Sequence, residues 1–141
     1  MIVRTFDPEL VNSVVNAPEV RPFVGPGADF LDLSDHVSKP ENLFLMGEHG
    51  GFALVWSAPE AYEVHTFILN GGRGKWARNA AQEAMNYMAE QGASLLWTKI
   101  PDDQPNVAAF AAAMGMKPTG QIIETFGKPY AVYKMGAGTC Q

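Results

Sequence analysis

The sequence predicts an α+β fold: one domain with a mixed, mostly antiparallel sheet of about six to seven strands flanked by helices. Three observations carry this. Short runs of β-branched and aromatic residues recur along the chain, separated by turns rich in Gly and Pro. Two stretches, 75–90 and 107–114, read as helices instead. The longer one lies between two strand-like runs, and a crossover of that kind makes the two strands parallel neighbours.

Residues 1–6 read as a first strand. Asp7, Pro8 and Glu9 then form a helix start: an N-cap, a proline at the first helical position and an acid in the first turn. Leu10, Val11, Val14 and Val15 give that helix its apolar stripe, which stops near Asn16 or Ala17. Residues 19–39 are broken repeatedly by Pro22, Gly25, Pro26 and Gly27. Here Phe23, Phe30 and Leu31 are expected to pin a loop to the core, and the stretch is a candidate substrate lid. Strands follow at 42–46, 52–56 and 63–69, joined by short turns at His49-Gly50-Gly51 and 57–60, which makes an antiparallel meander. After the central helix come a strand at 93–100, a loop at 101–105 and a second helix capped by Asn106 and ended by Gly115. A last hairpin is formed by 121–125 and 130–135. Residues 136–141 are expected to be a frayed tail.

The chain has 141 residues, enough for one domain with a sizeable core at 47% hydrophobic content. A net charge of −5 argues against general nucleic-acid binding, which needs a basic face. No run approaches the ~18 apolar residues of a membrane span. The first residues lack a signal-peptide pattern, and the single cysteine, Cys140, excludes an internal disulfide framework. A cytoplasmic protein is the default expectation. No His, Cys, Asp and Glu set has metal-ligand spacing, so no metal is expected.

The most informative stretch is 62–91. A strand runs through Asn70-Gly71-Gly72-Arg73-Gly74 into the helix Lys75–Glu90. The first amides of a helix lack internal acceptors and carry the positive end of its dipole, and glycine lets a ligand approach the backbone. Arg73, Lys75 and Arg78 concentrate there three of the ten basic residues. Phosphate or pyrophosphate is the natural guest. The alternative is a glycine-rich turn of purely structural purpose. It is neither a Walker loop nor a dinucleotide fingerprint.

The order of elements, with HTFILNGGRGKWA between strand and helix, resembles the GNAT acyltransferase superfamily. That stretch looks like its acyl-CoA loop, Gln/Arg-x-x-Gly-x-Gly/Ala; QPNVAAFAAAMGMKPTG looks like its second motif, and PYAVYKM like its last strand. The resemblance implies a GNAT-like fold that transfers acetyl from acetyl-CoA directly to an amine acceptor. The backbone near Thr66 and Ile68 would pair with the pantetheine arm, and the loop amides around Arg73, Gly74, Lys75, Trp76 and Ala77 would hold the pyrophosphate. The loop motif fits in two registers, one starting at Arg73 and one placing its first glycine at Gly74. Trp76 stands at a small-residue position in both. In the second motif Gln104 takes the usual Asn position, Phe110 the packing aromatic, and Ala111 the place where many members carry a tyrosine acid. The chain is also similar to GNAT-like proteins of tailed phages with loosened cofactor loops, which implies an alternative: a catalytically inactive internal virion or head-assembly protein.

Within that chemistry, Glu63 and His65 share one face of the strand entering the glycine turn, and either is a candidate base. Their alternative is a solvated carboxylate and a packed imidazole. Tyr133, or Tyr130, is a candidate acid from the last hairpin, the alternative being an ordinary aromatic. Asp29, Asp32, Asp35 and Glu41 could favour a cationic amine or simply form a solvated face. A homodimer and virion assembly are both open.

Overall fold

The structure, a computed structural model, describes residues 1–136. Strand β1 (Ile2–Thr5) leads into helix α1 (Pro8–Val15) and, after a long connection, into the short helix α2 (Ser34–Ser38). Strands β2 (Leu43–Gly47), β3 (Gly50–Ala58) and β4 (Ala61–Ile68) follow. Helix α3 (Lys75–Glu90), strand β5 (Leu95–Pro101), helix α4 (Pro105–Ala113) and the hairpin β6 (Lys117–Thr125) and β7 (Lys128–Gly136) complete the described chain. The seven strands form one sheet in the order β1-β2-β3-β4-β5-β7-β6. Every neighbouring pair is antiparallel except β4 and β5, which the α3 crossover makes parallel.

The sheet separates two apolar layers. On one face α1 and α2 set Val11, Val14, Val15 and Val37 against Phe44, Met46, Ala53 and Phe67. On the other, α3 and α4 set Ala80, Ala81, Ala84, Met88 and Ala111 against Leu43, Leu45, Phe52, Leu54 and Leu96. The alanines of α3 let its backbone lie close to the strands. Phe52 and Met88 are fully enclosed, each contributing roughly 1.5–3 kcal/mol by leaving water.

Helix α1 starts as its residues dictate. Asp7 accepts a 3.0 Å hydrogen bond from the Glu9 amide, and Pro8 occupies the first turn. The long connection behaves otherwise than expected. Phe23 and Phe30 are 52% and 71% exposed, so they do not anchor it. Polar bonds do. Asn16 exchanges two 2.7 Å bonds with the Leu31 backbone, and Asn12 accepts from the Leu33 amide at 2.9 Å. Arg21 donates to the carbonyls of Val24 and Asp29. Amide and guanidinium groups satisfy irregular backbone that no ladder can reach, a role that hydrophobic spacing cannot announce.

Two boundaries also move. Helix α4 begins at Pro105, so Asn106 lies inside it and Gln104 is the N-cap, without a side-chain cap bond. Strand β6 begins at Lys117 and absorbs the turn-like Pro118 to Gly120 as a bulge on the sheet edge. Gly136, expected in the tail, pairs with Leu95 as the end of β7. The remaining tail, Cys140 included, lies outside the described residues.

Candidate active site

The parallel pair β4 and β5 holds its ladder only through Ala61↔Leu95, Tyr62↔Leu96 and Glu63↔Trp97. Beyond Glu63 the strands diverge. β5 goes on pairing with β7 as far as Pro101, and β4 with β3 as far as Ile68. At the base of this V the Thr98 hydroxyl donates a 3.0 Å hydrogen bond to the Val64 carbonyl. Alternate residues of a strand aim their backbone groups the same way, so Thr66 and Ile68 also face the opening, without a strand partner on that side. An unpaired edge of this kind can receive an extended, amide-bearing ligand.

Under the V, towards α3 and α4, lies an apolar cavity of about 70 Å³. Val64 and Thr66 of β4, Thr98 and Ile100 of β5, and Phe110 and Ala111 of α4 line it. The wider end of β4 runs through a single 3-10 turn, Asn70–Gly72, to the start of α3. Gly74, the N-cap, has φ 97° and ψ −125°, a conformation essentially reserved for glycine, and it brings no capping side chain. The first α3 bond runs from the Arg78 amide to the Gly74 carbonyl. The amides of Lys75, Trp76 and Ala77 have no acceptor among the described residues, as an anion-binding helix start requires.

The bulky Trp76 turns towards the β2–β3 hairpin. Its ring meets the His49 imidazole edge-on at 5.1 Å and lies against Gly47 and Gly72, on the β2–β3 side. Gly72 must be a glycine for that packing: an added Cβ would sit 2.4 Å from the His49 Cβ and 2.9 Å from the Trp76 ring. The three clustered cations part company. Arg73 donates a 2.9 Å bond to the Glu19 carbonyl and stands over the Phe23 ring, tying the α1–α2 connection to the glycine turn. Lys75 and Arg78 are exposed.

On the α1–α2 face, Glu63 and His65 are brought together as their spacing implies, with His65 Nε2 3.5 Å from Glu63 Oε1. The sequence reading missed a third member. Lys99 of β5 donates to Glu63 Oε2 at 2.6 Å. Burial pushes the Glu63 carboxyl up, but the contact and charge of His65 and the bond and charge of Lys99 outweigh it, holding it at about 2. Glu63 is thus an ionised partner near neutral pH and a poor proton acceptor, set against the His65 ring. The parallel pairing of the two strands was the signal that could have joined Lys99 to Glu63. Tyr133 packs with the α3–α4 layer, on the opposite face from His65 and Glu63, and does not line the cavity. Gln104 caps α4 through its carbonyl, which accepts from Val107 and Ala108 at 3.2 Å. Among the described residues no group of three or more His, Cys, Asp or Glu could hold a metal ion, and no helix is long and apolar enough to cross a membrane.

A mixed seven-stranded sheet opened between its parallel pair, with a glycine turn into the crossover helix, is the GNAT acyltransferase fold. Solved structures agree over nearly the whole chain. An aminoglycoside 6′-N-acetyltransferase complexed with coenzyme A superposes with a TM-score of 0.76 at 11% identity, covering 97% of both chains. The spermidine N-acetyltransferase of Vibrio cholerae, in complex with CoA and spermine, gives 0.74 at 12% identity, covering 97% of this chain and 95% of that one. The Salmonella typhimurium protein yncA, solved with acetyl-CoA, gives 0.74 at 12% identity, with 97% and 93% covered. No family model matches the chain, and no curated protein matches it in sequence.

Proposed function

We propose that this protein binds acyl-CoA across the V and transfers the acetyl group directly to an amine. The observation that carries the reading is the parting of β4 from β5 after Glu63, which leaves Thr66 and Ile68 unpaired beside a bare helix start at Gly74. Acetyl-CoA would supply the activated thioester. The Thr66 and Ile68 backbone would align its amide-bearing arm, and the amides of Lys75, Trp76 and Ala77 would hold its diphosphate, with Lys75 and Arg78 adding charge. The acceptor nitrogen attacks the thioester carbon, the C–N bond forms as the C–S bond breaks, and the thiolate leaves. His65 accepts the proton the amine sheds, and ionised Glu63 steadies the imidazolium.

Ala111 favours a second reading, acyl-CoA binding without turnover. It lines the apolar cavity where its relatives' motif would place a proton donor.

Thermal unfolding with acetyl-CoA tests the reading, because a ligand bound only by the folded chain stabilises it. At a hundredfold excess over Kd the gain is about 2.7 kcal/mol, a rise in Tm on the order of 5–10 °C. No rise at millimolar acetyl-CoA would refute the proposal. A rise with no thiol release from any amine would select binding without turnover.

A further inference from the structure

The α1–α2 layer packs on β2 to β4, and among the described residues the same face of β5, β7 and β6 carries no helix. Across it the register draws a single row. Glu63 of β4 pairs with Trp97 of β5, Trp97 with Lys134 of β7, and Lys134 with Lys117 of β6. Paired residues share a face, so these four lie side by side beyond His65. Lys99 and Lys128 stand on this face too, each with an acid: Glu63 and Asp103. Lys117 and Lys134 are exposed, directly opposite each other, and among the described residues neither has an acidic partner. Like charges in register repel. In a chain of net charge −5, two unneutralised lysines held together mark a place for an anion.

The acidic side of the account points the same way. Glu63, the acid in the row, is neutralised by Lys99 at 2.6 Å. Asp32, one of the acids of the candidate lid, is spent on the loop, accepting from Ser34 and Asn12. Neither Glu63 nor Asp32 is therefore a spare carboxylate with which to hold a polycation. The Trp97 ring is pinned by a 2.9 Å bond from its Nε1 to the Ser57 hydroxyl, giving a flat apolar floor between the base and the lysines.

We propose that the acceptor is an amine that also carries an anionic group, a carboxylate or phosphate, seated by Lys134 and Lys117 while the nitrogen lies at His65. Lys134 is two strands from Glu63 in the row, about 10 Å, which sets the separation of amine and anion. This inference rests on the reading of the V as an acyl-CoA site, and it makes the acceptor unlike the polycationic spermine in the Vibrio cholerae complex.

Binding is measured by calorimetry on the intact protein saturated with CoA, with 8-aminooctanoate, octylamine and spermidine as probes. The aminoacid should bind at least tenfold tighter than the plain amine. That preference should fade at high salt, where exposed charges are screened. In the double variant Lys117→Ala, Lys134→Ala the ratio of the two affinities should fall about tenfold, and single Lys134→Gln should give part of the loss. Spermidine binding tightest, or a ratio unchanged in the double variant, would overturn the inference while leaving acetyl-CoA binding to stand. Failure of the acetyl-CoA thermal shift would instead bring down the underlying reading.

Discussion

Replacing Glu63 by Gln removes the carboxylate around which the site is charged, and the structure sets the size and pH dependence of the effect. The carboxyl lies at about 2 in the folded chain against an ordinary 4.5. A group lowered by folding stabilises the chain above its unfolded value, and that contribution is lost as pH falls through the folded one. The difference corresponds to about 3.5 kcal/mol at most, at roughly 1.4 kcal/mol per tenfold change in the ionisation equilibrium. The Glu63 side chain is 14% exposed and that of Lys99 25%, so solvent screens the pair in part. The expected loss in Glu63→Gln at pH 7 is therefore about 1–3 kcal/mol, between the values for surface and buried pairs. Urea unfolding followed by circular dichroism from pH 7 to pH 2.5 measures it. The gap between wild type and variant should be full above pH ~5 and should close progressively towards pH 2. Other carboxylates, such as Asp32, whose bonds from Ser34 lower it, remain in both proteins and cancel in the difference. A gap that stays constant with pH would refute the claim that His65 and Lys99 hold this carboxylate ionised.

Two further substitutions probe the architecture. Trp76→Gly should lower stability by about 2–4 kcal/mol, since it removes the ring packed on His49, Gly47 and Gly72 and puts glycine in the first turn of α3. It should not strengthen acetyl-CoA binding, and a larger ligand-induced rise in Tm would show that the ring obstructs the site after all. Thr98→Val should cost about 1–2 kcal/mol in urea unfolding, because the Val64 carbonyl loses its donor at the base of the V. A neutral result would mean that another donor takes that carbonyl.

Much of the fold was legible because it rests on local rules. Asp7-Pro8 starts a helix wherever it is placed, and the run 75–84 shows its alanines on one side whatever it packs against. The hairpin expected at His49 forms too, but its turn is Glu48-His49, and Gly50 and Gly51 already belong to β3. The crossover from β4 through α3 follows from chain order alone, and with it the parallel pair. In the irregular connection the large aromatics Phe23 and Phe30 are not the anchors; smaller residues, Val20 above all, pack on the core. The structure uses Asn12, Asn16 and Arg21, whose bonds join residues that no periodicity links. At the site, Glu63 and His65 could be paired by strand alternation, and Gly74 by its place before a helix.

Composition and spacing alone determined an acidic α+β domain, its element order, and a glycine turn suited to an anion. Only the tertiary structure decided that β4 and β5 part after Glu63, that Lys99 neutralises Glu63, and that Trp76 turns onto the β2–β3 hairpin instead of into the opening. It also decided that Arg73 fastens the loop at Glu19 and that two lysines face each other across β6 and β7. The reason is range. Caps, turns and alternation are set by residues a few positions apart, whereas the charge and the width of a site are set by side chains that meet only once strands far apart in the chain are laid side by side.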